Sequence, residues 1–177
     1  MKNLAKGYIQ IYTGDGKGKS TAAIGQAVRA AGAGLKSYII QFMKDYPYSE
    51  SDSLKLLSRW ITVEKVGSDD YVFRKGAPPE SEIEKAINAL KSAELKMLGG
   101  EYDLIILDEV CVAIYFGLFK VEDVIPLLDL KPANVELILT GRYCPEILIE
   151  KADLVTEMKE VKHYYQNGIL SRKGIDS

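Results

Sequence analysis

Residues 7–32 read GYIQIYTGDGKGKSTAAIGQAVRAAG. The stretch opens with a short β-branched and aromatic run, turns through glycines, and continues into an alanine-rich run. Residues 7–13 are predicted to form a strand. Residues 19–31 carry apolar positions at helical spacing and are stopped by Gly32 and Gly34. Between them lies Thr13-Gly14-Asp15-Gly16-Lys17-Gly18-Lys19-Ser20-Thr21. Glycines there let the backbone turn its N–H groups around phosphate oxygens, and the helix start adds the positive end of its dipole. Lys19 supplies a mobile positive charge for the terminal phosphates, and the Ser20 hydroxyl is a magnesium ligand. The loop departs from the usual G-x-x-x-x-G-K-[ST] pattern, because Thr13 stands in the first position. Asp15 is out of place beside phosphates, which its carboxylate repels. It points to solvent or reaches the sugar or the metal.

Outward from this unit the chain keeps alternating. Residues 35–42, 61–66, 102–107, 135–140 and 154–158 read as strands, and residues 54–58, 82–98, 110–116 and 121–128 as helices. Ser81 is the expected cap of the long helix, behind Pro78-Pro79, and Gly99-Gly100 ends it. Pro145 opens a further short helix. Residues 44–53 and 67–79 read as loops and as the places for mobile lids. Residues 159–177 are polar with aromatic insertions and have no clear period. Residues 102–107 (YDLIIL) are almost continuously apolar, as in a strand buried on both faces of a parallel sheet. The order implies one α/β domain over residues 1–177, with a mainly parallel sheet and right-handed crossovers.

The 177 residues carry 23 Lys+Arg against 25 Asp+Glu. That balance supports neither a nucleic-acid platform nor a basic membrane surface. No apolar run approaches the roughly 20 residues that span a bilayer. The first residues are basic without an apolar segment behind them, which argues against a signal peptide. Cys111 and Cys144 form no metal or redox spacing, so a reduced, cytoplasmic protein is expected.

Asp108-Glu109 follows the buried run at residues 104–107, at the sheet edge where ligands of α/β proteins bind. Such an acidic strand end holds magnesium directly or through water in P-loop proteins; the plain alternative is that both acids cap the next helix. Thr140-Gly141-Arg142 ends the next strand on the same rim, where Arg142 is either a phosphate neutraliser or an ordinary surface arginine. Arg29 is either a phosphate contact or a solvated helix residue. His163 is the single histidine and is read as structural. The residues by themselves describe a magnesium–nucleotide binder.

The loop at residues 13–21 resembles the T-G-N-G-K-G-K-T-T loop of the P-loop-type corrinoid (cob(I)alamin) adenosyltransferases. Further segments match that family in order: Val28-Arg-Ala-Ala-Gly32, Gln41-Phe-Met-Lys44, Leu107-Asp-Glu109, Leu139-Thr-Gly-Arg142, Ala152-Asp-Leu-Val-Thr-Glu157, Glu160-Val-Lys-His163 with Gly168-Ile169, and Lys173-Gly-Ile-Asp176. Threonine in the first loop position is part of the resemblance. It implies a RecA-like P-loop NTPase fold, a three-layer sandwich around a mainly parallel sheet. It also implies transfer of the adenosyl group of ATP from C5′ to the cobalt of a reduced corrinoid, with triphosphate leaving. By resemblance Lys19, Glu109 and Arg142 act on the leaving group. Gly14, Asp15, Gly16, Lys17, Gly18, Lys19, Ser20, Thr21 and Arg29 bind ATP, and Ser20, Glu109 and, through water, Asp108 hold Mg2+. Tyr71 and Phe73 have the aromatic-x-aromatic spacing of residues that displace the lower cobalt ligand; anchoring a loop to the core is the equal alternative. The resemblance further implies a homodimer, an electron-donating reductase as partner, and the loss of the N-terminal lid of longer members. Two other activities fit the loop: β–γ cleavage by a kinase or NTPase, and an ATP-gated corrinoid carrier.

Overall fold

The computed structural model describes residues 4–45, 48–68 and 76–176. Its strands are β1 (Ile9–Thr13), β2 (Ser37–Phe42), β3 (Ile61–Val66), β4 (Leu104–Asp108), β5 (Glu136–Thr140) and β6 (Leu154–Glu157). Its helices are α1 (Lys19–Gly32), α2 (Glu50–Lys55), α3 (Glu80–Leu98), α4 (Val110–Tyr115), α5 (Val121–Leu130) and α6 (Glu146–Lys151). One 3-10 turn follows at Tyr164–Asn167. The strands form a single sheet in the order β3-β2-β4-β5-β1-β6, and every pairing is parallel. All six strands therefore point their carboxyl ends to one rim.

Alternation along the strands divides the core. In β4, Ile105 and Leu107 face a cluster completed by α3, α4, α5 and α6, while Leu104 and Ile106 face α1 and α2. A strand buried this way needs apolar residues on both faces, which is why residues 102–107 read as an unbroken run. On the second face α1 lies close to the sheet because its buried positions, Ala23, Ala27, Ala30 and Ala31, are small and repeat at helical spacing. The result is three layers, as expected for the α/β class.

The boundaries differ from expectation in three informative places. α3 begins at Glu80 behind Pro79, so Ser81 sits within the first turn and caps nothing. Pro79 in an extended conformation starts the helix instead, with Glu80 and Glu82 complementing its dipole. α2 starts at Glu50, inside the segment expected to be loop, with acidic Glu50 and Asp52 in its first turn. The tail after β6 contains the 3-10 turn and folds back over the strand rim. Tyr71 and Phe73 lie outside the described residues.

Candidate active site

The loop between β1 and α1 is shaped by contact with the chain that follows β6. Gly14 has a φ of 93°, and a Cβ placed there would stand 2.6 Å from the Met158 carbonyl oxygen. At Gly16 a Cβ would meet the same oxygen at 2.6 Å. The Gly16 N–H donates to that carbonyl at 2.6 Å, and Met158 N–H donates to Thr13 O at 2.8 Å. The glycines thus admit a neighbouring backbone.

Lys19 is 7% exposed. Its ammonium donates to the carbonyls of Gly14 at 2.7 Å and Gly16 at 2.8 Å. Burial pulls its pKa below the ordinary lysine value, against the attraction of Glu109. The first amides of α1 have no partner within the helix, as at any helix start. Together they present one mobile cation and a fixed positive dipole end to a cavity of about 580 Å³.

Asp108 ends β4 and is fully buried. Both of its oxygens are engaged. Oδ1 accepts from Thr140 Oγ1 at 2.8 Å, and Oδ2 accepts from Lys44 Nζ at 2.7 Å and Gln41 Nε2 at 3.1 Å. The parallel register that sets Gln41 opposite Asp108 brings these groups together. Burial alone would raise the Asp108 carboxyl, but the Lys44 ammonium and hydrogen bonds from Lys44, Ser20 and Thr140 hold it below the usual aspartate value. Burial likewise pulls Lys44 down, and Asp108 more than restores it, leaving its pKa raised. Lys44 also lies 3.4 Å from Ser20 Oγ and 5.1 Å from the centroid of the Tyr48 ring.

Glu109 takes a left-handed conformation, φ 64°, held by its N–H on Thr140 Oγ1 at 2.9 Å. Its carboxyl faces the cavity. Burial, and then the Asp108 charge beside it, raise its pKa. A carboxylate in that situation gains from a cation. Gly141, at φ 136°, lets the chain pass against α4, where a Cβ would lie 2.9 Å from Cys111 Cβ. The chain then delivers Arg142 to the cavity.

Of the residues expected from sequence, Gly16 through Thr21, Glu109 and Arg142 line one cavity. Asp108 stands behind Ser20, bonded to Gln41, Lys44 and Thr140, with both oxygens engaged. Gly14 joins through its carbonyl. Asp15 is exposed at the loop tip and does not line the cavity. Arg29 lies in the last turn of α1, where its guanidinium contacts Gln26 Oε1 at 3.4 Å, and it does not line this cavity.

Three contributions escaped the sequence reading. Lys44 supplies a second buried ammonium, Thr140 ties Asp108 to Glu109, and the tail builds a wall with His163, Tyr164, Tyr165 and Ile169. The segment at residues 41–44 was the available signal for Lys44.

The oxygens of Ser20 and Glu109 are hard donors of the kind magnesium prefers. Among the described residues no group of three or more His, Cys, Asp or Glu side chains could hold a metal ion by itself. The set fits an ion that takes its remaining ligands from phosphates and water, the usual habit of magnesium. Among the described residues no helix is long and apolar enough to cross a membrane.

Residues 5–177 match the family model described as ATP:corrinoid adenosyltransferase BtuR/CobO/CobP. The chain is 32% identical over 172 residues to the corrinoid adenosyltransferase of Escherichia coli K12, covering 97% of this chain and 86% of that one. It is 33% identical over 177 residues to the corrinoid adenosyltransferase of Salmonella typhimurium, again covering 97% and 86%. Among solved structures, flagellar accessory protein FlaH of Methanocaldococcus jannaschii superposes with a TM-score of 0.60 at 18% identity, over 87% of this chain and 72% of that one. A KaiC-like protein of Pyrococcus horikoshii gives 0.58 at 17%, over 98% and 77%. These two likenesses concern the fold.

Proposed function

The chain belongs to the ATP:corrinoid adenosyltransferase family, and from that premise we infer that its rim cavity holds the triphosphate of ATP as a leaving group. The reaction of the family joins the 5′ carbon of ATP to cobalt. The electron pair of cobalt(I) forms the carbon–cobalt bond as the C5′–oxygen bond breaks, and triphosphate carries that bonding pair away. No proton moves, so no general base is needed. The enzyme's tasks are to align C5′ with the cobalt and to stabilise the departing charge.

One observation carries the assignment of residues: Lys19, Lys44 and Arg142 approach the same space from three strand ends, beside Ser20 and Glu109. In this reading the Lys19 ammonium exchanges a loop carbonyl for phosphate oxygens, and the α1 amides take others. Arg142 meets the triphosphate from the β5 side. Ser20 and Glu109 hold Mg2+, which when bound neutralises part of the triphosphate charge. Asp108 acts one step back, fixing the Ser20 hydroxyl and the Lys44 ammonium.

The same reading takes in a reduced corrinoid as second substrate, Tyr71 and Phe73 on its lower face, an external reductase, a homodimer and a cytoplasmic location. Membership of the family supports the corrinoid as substrate, and the other parts rest on the sequence resemblance.

The test is Lys19→Ala in full-length protein, with ATP and chemically reduced cob(I)alamin. We expect formation of the light-sensitive product to fall about 10³-fold, while the far-ultraviolet dichroism and unfolding midpoint stay near wild type. Near-normal turnover would remove Lys19 from the triphosphate site.

A further inference from the structure

The tail after β6 is fastened to the phosphate-binding loop at both ends. At its start, the Met158 backbone pairs with Thr13 and Gly16. At its far end, Lys17 Nζ donates to Ile175 O at 2.8 Å and pairs with Asp176 Oδ1 at 3.0 Å. Between these points, His163, Tyr164, Tyr165, Ile169 and Ser171 line the cavity across from α1. The tail is therefore a strap over the loop, outside the two apolar clusters of the core.

Asp176 is the knot. Its carboxylate, 12% exposed, accepts from the Tyr164 hydroxyl, from Arg172 Nε at 3.0 Å, from Arg172 N–H at 3.2 Å and from Lys17. The Arg172 guanidinium also covers the Tyr164 ring, 4.6 Å from its centroid. The hydrogen bond from Tyr164, with those from Lys17 and Arg172, holds the carboxyl well below the usual aspartate range. An isolated surface ion pair holds little, but one carboxylate collecting Arg172, the Tyr164 hydroxyl and Lys17 of the distant loop fixes geometry.

We propose that Asp176 is a positioning residue for the nucleotide: by joining Lys17, Arg172 and Tyr164 it closes the C-terminal tail over the phosphate-binding loop, and the closed tail is the wall that holds ATP in the cavity. Its occupant is the nucleotide because the opposite wall is Gly16 to Thr21 and Ile24. The proposal rests on the reading that this cavity takes ATP, but the fastening itself does not require ATP.

The experiment compares wild type, Asp176→Asn and Asp176→Glu as full chains. Calorimetry with Mg-ATP and no corrinoid reads affinity, amide hydrogen exchange over residues 164–175 reads fastening, and steady-state assays separate KM for ATP from kcat. For Asp176→Asn we expect affinity about tenfold weaker and faster exchange across the tail without nucleotide. KM for ATP should rise with kcat within about twofold, and Asp176→Glu should recover most of each loss. The proposal is overturned by affinity and exchange both unchanged, by weaker binding with unchanged exchange, or by a fall in kcat at constant KM. Failure of wild type to bind Mg-ATP would instead defeat the reading of the cavity, and the nucleotide-free exchange comparison would still decide the role of Asp176.

Discussion

The two edges of the sheet are built from similar residue types and differ in what those residues hold. At the amino edge, charged side chains close off backbone. Asp103 accepts from Lys36 N–H at 2.9 Å, Asp153 from Ile9 N–H at 2.8 Å and Glu136 from Tyr8 N–H at 2.7 Å. Lys131 donates to the carbonyls of Gly7 at 3.0 Å and Val135 at 2.9 Å. At the carboxyl edge Lys19 also holds loop carbonyls, but there a charged pair is buried as well: Lys44 holds Asp108, and the Thr140 hydroxyl links Asp108 to the Glu109 backbone. Among the described residues, the left-handed non-glycine positions are Met43, Glu109 and Tyr143, all just past the ends of β2, β4 and β5. Each costs on the order of 1–3 kcal/mol unless its surroundings hold it, and such residues gather at functional sites. One edge is made for permanence. The other keeps charge and strain that a ligand can redistribute.

The largest effect that separates the edges should come from Lys44→Met. Removing one partner of a buried pair leaves Asp108 uncompensated, and urea unfolding should show a loss of about 3–5 kcal/mol together with a strong loss of activity. Asp108 has a depressed pKa, so its stabilisation is present above its ordinary value of 3.8 and disappears as pH falls through the folded value. The gap between wild type and Lys44→Met should therefore narrow below that pH. A gap that persists undiminished in acid would mean that the pair is not its source.

A smaller change tests the amino edge. Asp103→Ala leaves the Lys36 N–H without its acceptor and should cost about 1–3 kcal/mol in the same measurement. Activity per folded molecule, and KM for ATP, should not move. A catalytic defect there would break the division between the edges.

The smallest change should have the opposite sign. Glu109 has a raised pKa, so its protonated form suits the ligand-free protein and stability falls as pH rises through the folded value. Glu109→Gln should then stabilise the free protein at neutral pH by about 1 kcal/mol in thermal unfolding, while weakening Mg-dependent ATP binding. Destabilisation, or unchanged ATP binding, would show that Glu109 is a structural acid.

What the sequence disclosed follows the same division. The glycine-rich turn between β1 and α1 was legible because its signal is local, contained in residues 13–21. β3 was legible to the residue because its ends coincide with changes of composition. The three-layer fold followed from the doubly apolar run of β4. Lys44 and Asp108 are 64 residues apart and meet only through the β2–β4 register, which no local period encodes. Lys17 and Asp176 are joined across still more chain, by a tail without periodicity. The left-handed turn at Glu109 has no marker in residue type, since it is imposed by Thr140 from the neighbouring strand.

In the proposed reaction the carboxyl edge grips triphosphate so that C5′, and not the γ-phosphorus, is the site of attack. Phosphorus NMR of a complete turnover with ATP and cob(I)alamin tests this most directly, read beside the spectrum of the adenosylated corrinoid. One intact triphosphate is expected for each carbon–cobalt bond formed. ADP and orthophosphate with an unchanged corrinoid spectrum would contradict it.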